Sequence, residues 1–461
     1  MPETDKKPEI THKSQLTEYF GQGCKPPGEW SIGTEHEKFL FYKNDSRRIS
    51  YFGEPGIRTI FKHLQNNGWQ PVWEKQNVVG LKKNAAFVTL EPGGQVELSG
   101  SKLKTLQETS EETKTYFDVL EDICEKLELF SLSLGFDPLS ARRDVPWIPK
   151  TRYGFMKEYM PRKGKLGHEM MLNTASVQVN LDYSSEDDMI KKMRVAQALQ
   201  PVATAIFANS PFSQGKPNGF LSYRAHVWDD TDPDRCGFLP FVFDTGFGFE
   251  YWVDYLLDVP MYFIQRGEEY LPAGGMTFRD FLQGKHKLKP TIDDWDTHVA
   301  TVFPDIRLKQ FIEMRGADAG SVPHVTAVSA LWTGLLYDSA SLEESYELIS
   351  NWNINEVKEM RSRVPKDGLN AASGNLHAGK IAKQICQIAE NGLKRRSEFL
   401  GIDDESRFLE PVRKITTSGV TPAEMLLQLN EKKLSAGLNV SGWEKYQLQI
   451  LTGETNDNSK I

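Results

Sequence analysis

The sequence has few cysteines and lacks the apolar runs that membrane proteins need. Its 461 residues include only four cysteines, which are widely separated and form no CxxC pair. This excludes a dense disulfide framework and the common zinc-binding spacings. No apolar run approaches the roughly 18 residues of a membrane span, and the N-terminus lacks the apolar segment of a signal peptide. We therefore expect a cytoplasmic chain with no membrane partner.

Concentrated positive charge and the common nucleotide motifs are also missing. The net charge is -8, with acidic and basic residues interspersed, so we expect no nucleic-acid partner. The sequence contains no GxxxxGK[ST] and no GxGxxG after a strand, the loops that usually hold phosphates. HExxH and GxSxG are absent too, which argues against zincin and serine-hydrolase mechanisms.

No low-complexity linker or fixed-period repeat divides the chain. We expect a flexible polar segment over residues 1–20 and a single unit over residues 21–461, whose portion from about 321 to 461 is mostly helical.

Apolar spacing predicts helices over residues 55–64 and 103–129, and a helix after Ser185 that Pro201 kinks or breaks. Residues 137–168 and 209–234 read as loops, because they are rich in Pro, Gly and charged residues.

Four predicted strands put pairs of polar side chains on one face. Successive strand residues alternate between faces, so residues two apart point the same way. The pairs are Glu35 with Glu37, Gln95 with Glu97, Gln178 with Asn180, and Glu313 with Arg315. Solvated sheet faces usually mix in Lys, Thr and Ser. The pattern therefore favours a curved sheet that closes around a wet, ligand-filled cavity.

Paired carboxylates need a compensating partner, because they repel each other and burial makes each charge more costly. Oxygen ligands favour Mg²⁺ over zinc. Acids that hold Mg²⁺ beside Arg and Lys are typical of sites for phosphoryl transfer. If ATP binds, we expect it on a sheet. Alternating acids on a solvated strand are the common structural alternative.

Five collinear segments give the sequence a specific resemblance. They are Gly33–Phe39 (GTEHEKF), Glu91–Gly100 (EPGGQVELSG), Val177–Asp182 (VQVNLD), Phe207–Phe212 (FANSPF) and Glu313–Asp318 (EMRGAD). Together they resemble the glutamate-cysteine ligases of plant and proteobacterial type, over roughly residues 20 to 450.

The resemblance implies a fold and a reaction. The fold is α+β and glutamine-synthetase-like: a bent antiparallel β-sheet funnel with surrounding helices and a mostly helical C-terminal part. The reaction is the ATP-dependent joining of the γ-carboxylate of L-glutamate to the amine of L-cysteine through a γ-glutamyl phosphate, the first step of glutathione biosynthesis. Mg²⁺ is the implied cofactor; ATP, L-glutamate and L-cysteine are the partners of a monomer or homodimer.

The resemblance also implies roles for particular residues. The metal ligands are Glu35, Glu37, Glu97 and Glu313. The catalytic residues are Glu37, Arg315 beside the transferred phosphate, and Arg224. The substrate-binding residues are Arg152, Arg224, Trp228, Tyr262, Gln178 and Asn180. Guanidinium groups suit carboxylates, which supports the arginines independently.

One departure and three alternatives accompany the resemblance. Plant members carry a regulatory disulfide in the region of residues 270–300, where this sequence has no cysteine, so thiol control of that kind should be missing.

The runner-up enzyme is a related carboxylate-amine ligase or a guanidino kinase on the same fold. A metal-dependent hydrolase would instead turn over without ATP. A non-catalytic binding protein is the third alternative.

Overall fold

An antiparallel sheet of nine strands forms the centre of the computed structural model, which describes residues 8–267 and 269–435. Its strands are β1 (Ile32–Tyr42), β2 (Gln70–Glu74), β3 (Asn77–Lys83), β4 (Ala86–Leu90), β5 (Val96–Ser99), β6 (Leu129–Leu132), β7 (Ser176–Leu181), β14 (Ile306–Leu308) and β15 (Ile312–Asp318). The strand order is β14-β15-β7-β1-β5-β4-β3-β2, and β6 pairs with the far end of β1.

Small two-stranded sheets lie outside this central sheet. Their strands are β8 (Phe212–Ser213), β9 (Lys216–Pro217), β10 (Cys236–Gly237), β11 (Phe263–Arg266), β12 (Glu269–Pro272), β13 (Phe303–Pro304), β16 (Ala372–Ser373) and β17 (Leu376–His377). Among them, β11 and β12 form an antiparallel hairpin. This hairpin matters for the site because it contributes part of the cavity wall.

Helices surround the sheet. They are α1 (Ser14–Gly21), α2 (Ile57–Asn66), α3 (Leu106–Lys126), α4 (Thr151–Tyr159), α5 (Gly167–Asn173), α6 (Glu186–Ile206), α7 (Tyr223–Asp229), α8 (Phe249–Asp258), α9 (Phe278–Leu282), α10 (Ile292–Ala300), α11 (Val322–Leu336), α12 (Ser339–Ile349), α13 (Ile354–Asp367), α14 (Ala378–Leu400), α15 (Glu410–Ser418) and α16 (Pro422–Ser435). The last six agree with the predicted helical C-terminal portion as far as residue 435.

Strand β1 is the axis of the sheet. It pairs with β7 and β5 along its first half and with β6 along its second half, always antiparallel. The face of β1 that carries His36 and Lys38 packs on α3: the imidazole of His36 lies 4.9 Å from the ring of Phe117, and the Lys38 ammonium lies 3.3 Å from the same ring. The opposite face of β1 carries Glu35 and Glu37.

Local sequence signals fix several helix starts. Thr105 and Glu108 form a capping box at the start of α3, and Ser185 caps α6 by accepting a hydrogen bond from the amide of Asp188. Thr421 and Glu424 bond reciprocally at the start of α16. Each satisfies backbone amides that a helix start leaves unpaired.

Pro201 does not break its helix, which was one of the two predicted outcomes. The helix α6 runs from Glu186 to Ile206, and every residue from Val195 to Ile206 is buried. Packing on all sides outweighs the roughly 3 kcal/mol that an internal proline costs.

The loops predicted over residues 137–168 and 209–234 are only partly irregular. The first range contains α4 and the start of α5, and the second contains α7.

The segment predicted to be flexible, residues 1–20, includes most of α1. Leu16 and Phe20 of that helix are completely buried. This part of the segment is therefore packed against the core rather than loosely held, while residues 1–7 lie outside the described residues. Across residues 8–267 and 269–435, no helix has the length and apolar character needed to cross a membrane.

Candidate active site

A cavity of about 350 Å³ lies between the central sheet and the helices that cover it. Its floor is the polar face of β1, β5 and β7. Its walls come from α4, α5, α7, α10 and the β11–β12 hairpin. This volume is within the range of small-molecule sites, and the polar face of the sheet lines a cavity, as the sequence pattern predicts.

Three glutamates stand side by side on the cavity floor. Glu35 and Glu37 share a face of β1 because they are two residues apart, and Glu37 lies directly opposite Glu97 in the β1–β5 pairing. Glu37 accepts hydrogen bonds of 3.0 Å from the amide and the hydroxyl of Ser176. Glu35 accepts one of 2.9 Å from Asn180, and Glu97 one of 2.7 Å from Ser99.

These acids hold protons more tightly than exposed glutamates. Burial, together with the charges of Glu313 and Glu97, raises the pKa of Glu35 to about 7. Burial and the nearby charge of Glu91 raise the pKa of Glu97 to about 7. The pKa of Glu37 is also raised, by burial first and then by Glu91 and Glu97. Among the described residues, the hydrogen-bond donors to these three carboxylates are the side chains of Asn180, Ser176 and Ser99 and the amide of Ser176, all of which are neutral.

Glu313 has a different environment. It is completely buried, and Arg307 of β14 donates to its two oxygens at 2.7 and 2.8 Å. Arg315 donates to it as well. Burial alone would raise the pKa of Glu313, but Arg307, Arg315 and Lys309 outweigh burial and hold that pKa at about 2. Its carboxylate is therefore neutralised by arginines.

A β-bulge directs Arg315 into the cavity. The pairing of β15 with β7 shifts register between Met314 and Ala317, which leaves Arg315 and Gly316 in the irregular stretch. Arg315 donates to Gln178 as well as to Glu313. A Cβ at Gly316 would lie 2.0 Å from the amide nitrogen of the Gln200 side chain, so a larger residue at this position would have to displace that side chain.

The chemistry of this donor set fits Mg²⁺. Glu35, Glu37 and Glu97 supply oxygen atoms, and no Lys or Arg nitrogen of the described residues lies within 4.0 Å of their carboxylates. As placed, no three Asp, Glu, His or Cys side chains in those parts of the chain surround a point that could hold a metal ion. Mg²⁺ at these acids is therefore a proposal that is based on donor chemistry. Glu313 is not among the available donors, because arginines occupy its oxygens.

Two further arginines and a tryptophan complete the polar wall. Arg152 on α4 donates only to its neighbour Tyr153, at 3.2 Å, and no carboxylate of the described residues lies within 4.0 Å of it. Arg224 on α7 donates to the backbone oxygen of Arg315 at 2.7 Å. Trp228, one turn further along α7, lines the same cavity, and its indole nitrogen has no partner among the described residues.

Two of the predicted substrate-binding residues lie elsewhere. Tyr262 packs in the core, with its ring 3.9 Å from the guanidinium of Arg235, so the prediction that it lines the pocket is wrong. Asn180 reaches the site only through its bond to Glu35. Gln178 does line the cavity, where it accepts from Arg315.

The sequence reasoning missed several residues of the cavity. They include Glu91, Arg307, Met156, Met170, Met171 and Tyr270. Glu91 directly precedes the Pro-Gly-Gly turn, and this position in the sequence could have identified it as a residue of the site. The others come from short elements with no clear periodicity.

The charges of Arg152, Glu91 and Glu97 in this site act on the side chain of Lys150. Burial, and then Arg152, lower its pKa to about 7. Its ammonium donates to the backbone oxygen of Leu90 at 2.9 Å.

Named relatives are similar along most of the chain. Glutamate–cysteine ligase B, chloroplastic, from Oryza sativa subsp. japonica is 46% identical over 440 residues, covering 94% of this chain and 87% of the relative. Glutamate–cysteine ligase, chloroplastic, from Arabidopsis thaliana is 45% identical, covering 90% of this chain and 79% of the relative.

These relatives correct the prediction of a cytoplasmic chain. The similar proteins from Oryza, Medicago and Arabidopsis are all named chloroplastic. The expectation rested on the composition of the N-terminal residues, and that composition was not a sound guide to compartment.

A crystal structure and a family model agree with these relatives. The glutamate–cysteine ligase of Francisella tularensis in complex with AMP superposes with a TM-score of 0.53 at 12% identity, covering 92% of this chain and 89% of that chain. This likeness confirms the predicted fold class. The family described as glutamate-cysteine ligase family 2 (GCS2) matches residues 31–439. The chain therefore belongs to the glutamate-cysteine ligase family 2.

Proposed function

We propose that this protein joins the γ-carboxylate of L-glutamate to the amine of L-cysteine at the expense of ATP, the first step of glutathione biosynthesis. One observation carries the proposal: the carboxylates of Glu35, Glu37 and Glu97 share a single cavity with the guanidinium groups of Arg152, Arg224 and Arg315. Such a cavity offers oxygen ligands for a metal–nucleotide complex and positive groups for carboxylate substrates.

The chemistry needs ATP because a carboxylate repels nucleophiles and has no adequate leaving group. An oxygen of the γ-carboxylate attacks the γ-phosphorus of ATP, and ADP leaves. The cysteine amine then attacks the carbonyl carbon of the γ-glutamyl phosphate and gives up a proton. Phosphate leaves with the oxygen that came from glutamate, and an amide bond has formed.

The protein groups have separate tasks in this scheme. Arg315 neutralises charge on the transferred phosphoryl group, while Arg152 and Arg224 bind substrate carboxylates. Glu35, Glu37 and Glu97 would hold Mg²⁺, and the bound ion would supply positive charge that neutralises the phosphate oxygens. Gln178 holds the guanidinium of Arg315 in the cavity.

The test is phosphate release from ATP with Mg²⁺, glutamate and a panel of amines, with the product identified by mass. We expect release that cysteine stimulates more than serine, glycine or ammonia does, and that falls by about two orders of magnitude in Glu37→Gln. Preference for another amine would indicate a related carboxylate-amine ligase. Turnover without ATP would indicate a hydrolase.

A further inference from the structure

The carboxylate of Asp318 joins the end of β15 to the segment Phe207–Phe212, which has no role in the reaction scheme. Asp318 ends β15 and is 1% exposed. It accepts hydrogen bonds from the amide of Asn209 at 2.8 Å, the hydroxyl of Ser210 at 2.7 Å and the hydroxyl of Ser222 at 2.8 Å. The sequence segment Phe207–Phe212 thus meets the end of Glu313–Asp318 at one buried carboxylate.

Two of these donors hold the first turn of α7. Ser222 is the N-cap of α7 and accepts a hydrogen bond from the amide of Ala225 at 3.2 Å. Ser210 accepts one from the amide of Arg224, also at 3.2 Å. Each hydroxyl therefore donates to Asp318 and accepts from the helix, so a single hydroxyl separates Asp318 from the backbone of Arg224.

The surroundings leave Asp318 little room to move. A Cβ at Gly135 would lie 2.3 Å from its carboxyl carbon. Asn209, which donates to Asp318, also accepts from the amide of Gly135 and donates to the backbone oxygen of Ala319. The carboxylate of Asp318 therefore has a fixed position, and the two serines that hold the first turn of α7 are hydrogen-bonded to it.

We infer that Asp318 is a positioning residue: through Ser210 and Ser222 it fixes the first turn of α7, and with that turn the direction in which Arg224 enters the cavity. The identity of the substrate that Arg224 binds rests on the proposed function. The link between Asp318 and α7 rests on the hydrogen bonds alone. The short helix α7 has no other buried carboxylate bonded to its N-cap among the described residues.

The first test is hydrogen exchange of residues 223–229 in Asp318→Asn, with Asp182→Asn as the matched control. Asp182 is also a buried aspartate with three donated hydrogen bonds, but its donors are Lys25 and Ser31, far from α7 in the sequence. We expect Asp318→Asn to speed exchange in α7 by about tenfold and Asp182→Asn to leave it unchanged. Unchanged exchange in Asp318→Asn would overturn the inference, even if the proposed function fails.

The second test separates positioning from general stability. In Asp318→Asn we expect the KM for glutamate to rise about tenfold with a smaller change in kcat, while Asp182→Asn keeps the KM of the original protein. In an Arg224→Lys background the same substitution should add little, because the effect passes through Arg224. An additive effect, or equal KM changes in both aspartate variants, would overturn the inference. No ligase activity in the original protein would instead refute the proposed function.

Discussion

Glu37 on β1 and Glu97 on β5 are direct neighbours across two antiparallel strands, and both carboxylates face the same cavity. Like charges opposite each other destabilise a sheet. Here the pair is also buried, and the described residues supply only hydroxyl and amide donors to it. This arrangement is costly for the free protein, and a bound cation would relieve it.

Replacing Glu97 tests whether this charge serves the reaction. Glu97→Gln keeps the shape of the side chain and removes its charge, so we expect kcat to fall by about 100-fold or more. The free energy of unfolding should not fall, because a buried repulsion is removed. Steady-state kinetics and urea unfolding measure the two effects. Glu125→Gln on the exposed face of α3 is the matched control and should retain full activity. A fall in kcat below threefold in Glu97→Gln would contradict this role.

The raised pKa values predict how Mg²⁺ binding depends on pH. The pKa of Glu35 and of Glu97 rises from about 4.5 in the unfolded chain to about 7 in the folded protein. The folded state therefore binds these protons more tightly, and the metal-free protein loses stability as the pH rises through about 7.

Because Mg²⁺ needs the ionised carboxylates, it should raise the Tm more at pH 8 than at pH 6. Thermal unfolding with and without Mg²⁺ at both pH values measures this. In Glu97→Gln the difference between the two pH values should shrink. An equal gain in Tm at both pH values would argue against metal binding by these acids.

Arg307 should be important for stability. Removing it by Arg307→Met leaves Glu313 buried with a single arginine partner, so we expect a loss of about 3 kcal/mol in the free energy of unfolding. The control is Arg363→Met, which breaks the exposed pair of Arg363 with Glu359 and should leave the free energy of unfolding nearly unchanged. Urea unfolding compares them. Equal losses would mean that Glu313 does not depend on Arg307.

Arg152 is suited to bind a substrate, because no carboxylate of the described residues lies within 4.0 Å of it. Arg152→Lys keeps the charge but loses the two-pronged guanidinium contact. We expect the KM for an amino-acid substrate to rise about tenfold with a smaller change in kcat. Arg142→Lys, at a largely exposed arginine near Glu169, should leave KM unchanged. Steady-state kinetics with each substrate varied in turn would show the effect, and a fall in kcat alone would point to a different role.

The strands of the site were predictable from the sequence, because alternation reports directly which side chains share a face. The pair Glu35 and Glu37 lies on β1 and the pair Gln178 and Asn180 lies on β7, as predicted. The convergence of Glu35, Glu37 and Glu97 then followed, since polar pairs on several strands needed a common interior. The helix start after Ser185 was also readable from its cap.

Other parts of the site depend on tertiary contacts that leave no local signal. The helices α4 and α5 are short and contain glycine and charged residues, so their composition resembled a loop. Arg307 lies on a strand of three residues, too short for a pattern to be recognised. Tyr262 was assigned to the pocket through the resemblance alone, and only the coordinates show that it packs on Arg235.

The most direct test follows the oxygen atoms of glutamate. The reaction is run with ATP, Mg²⁺, cysteine and glutamate labelled with ¹⁸O in the γ-carboxylate, and the released phosphate is analysed by mass. The account predicts that each phosphate carries one ¹⁸O from glutamate, because the carboxylate is phosphorylated before the amine attacks. Phosphate without ¹⁸O, formed at the same rate as the amide product, would contradict it.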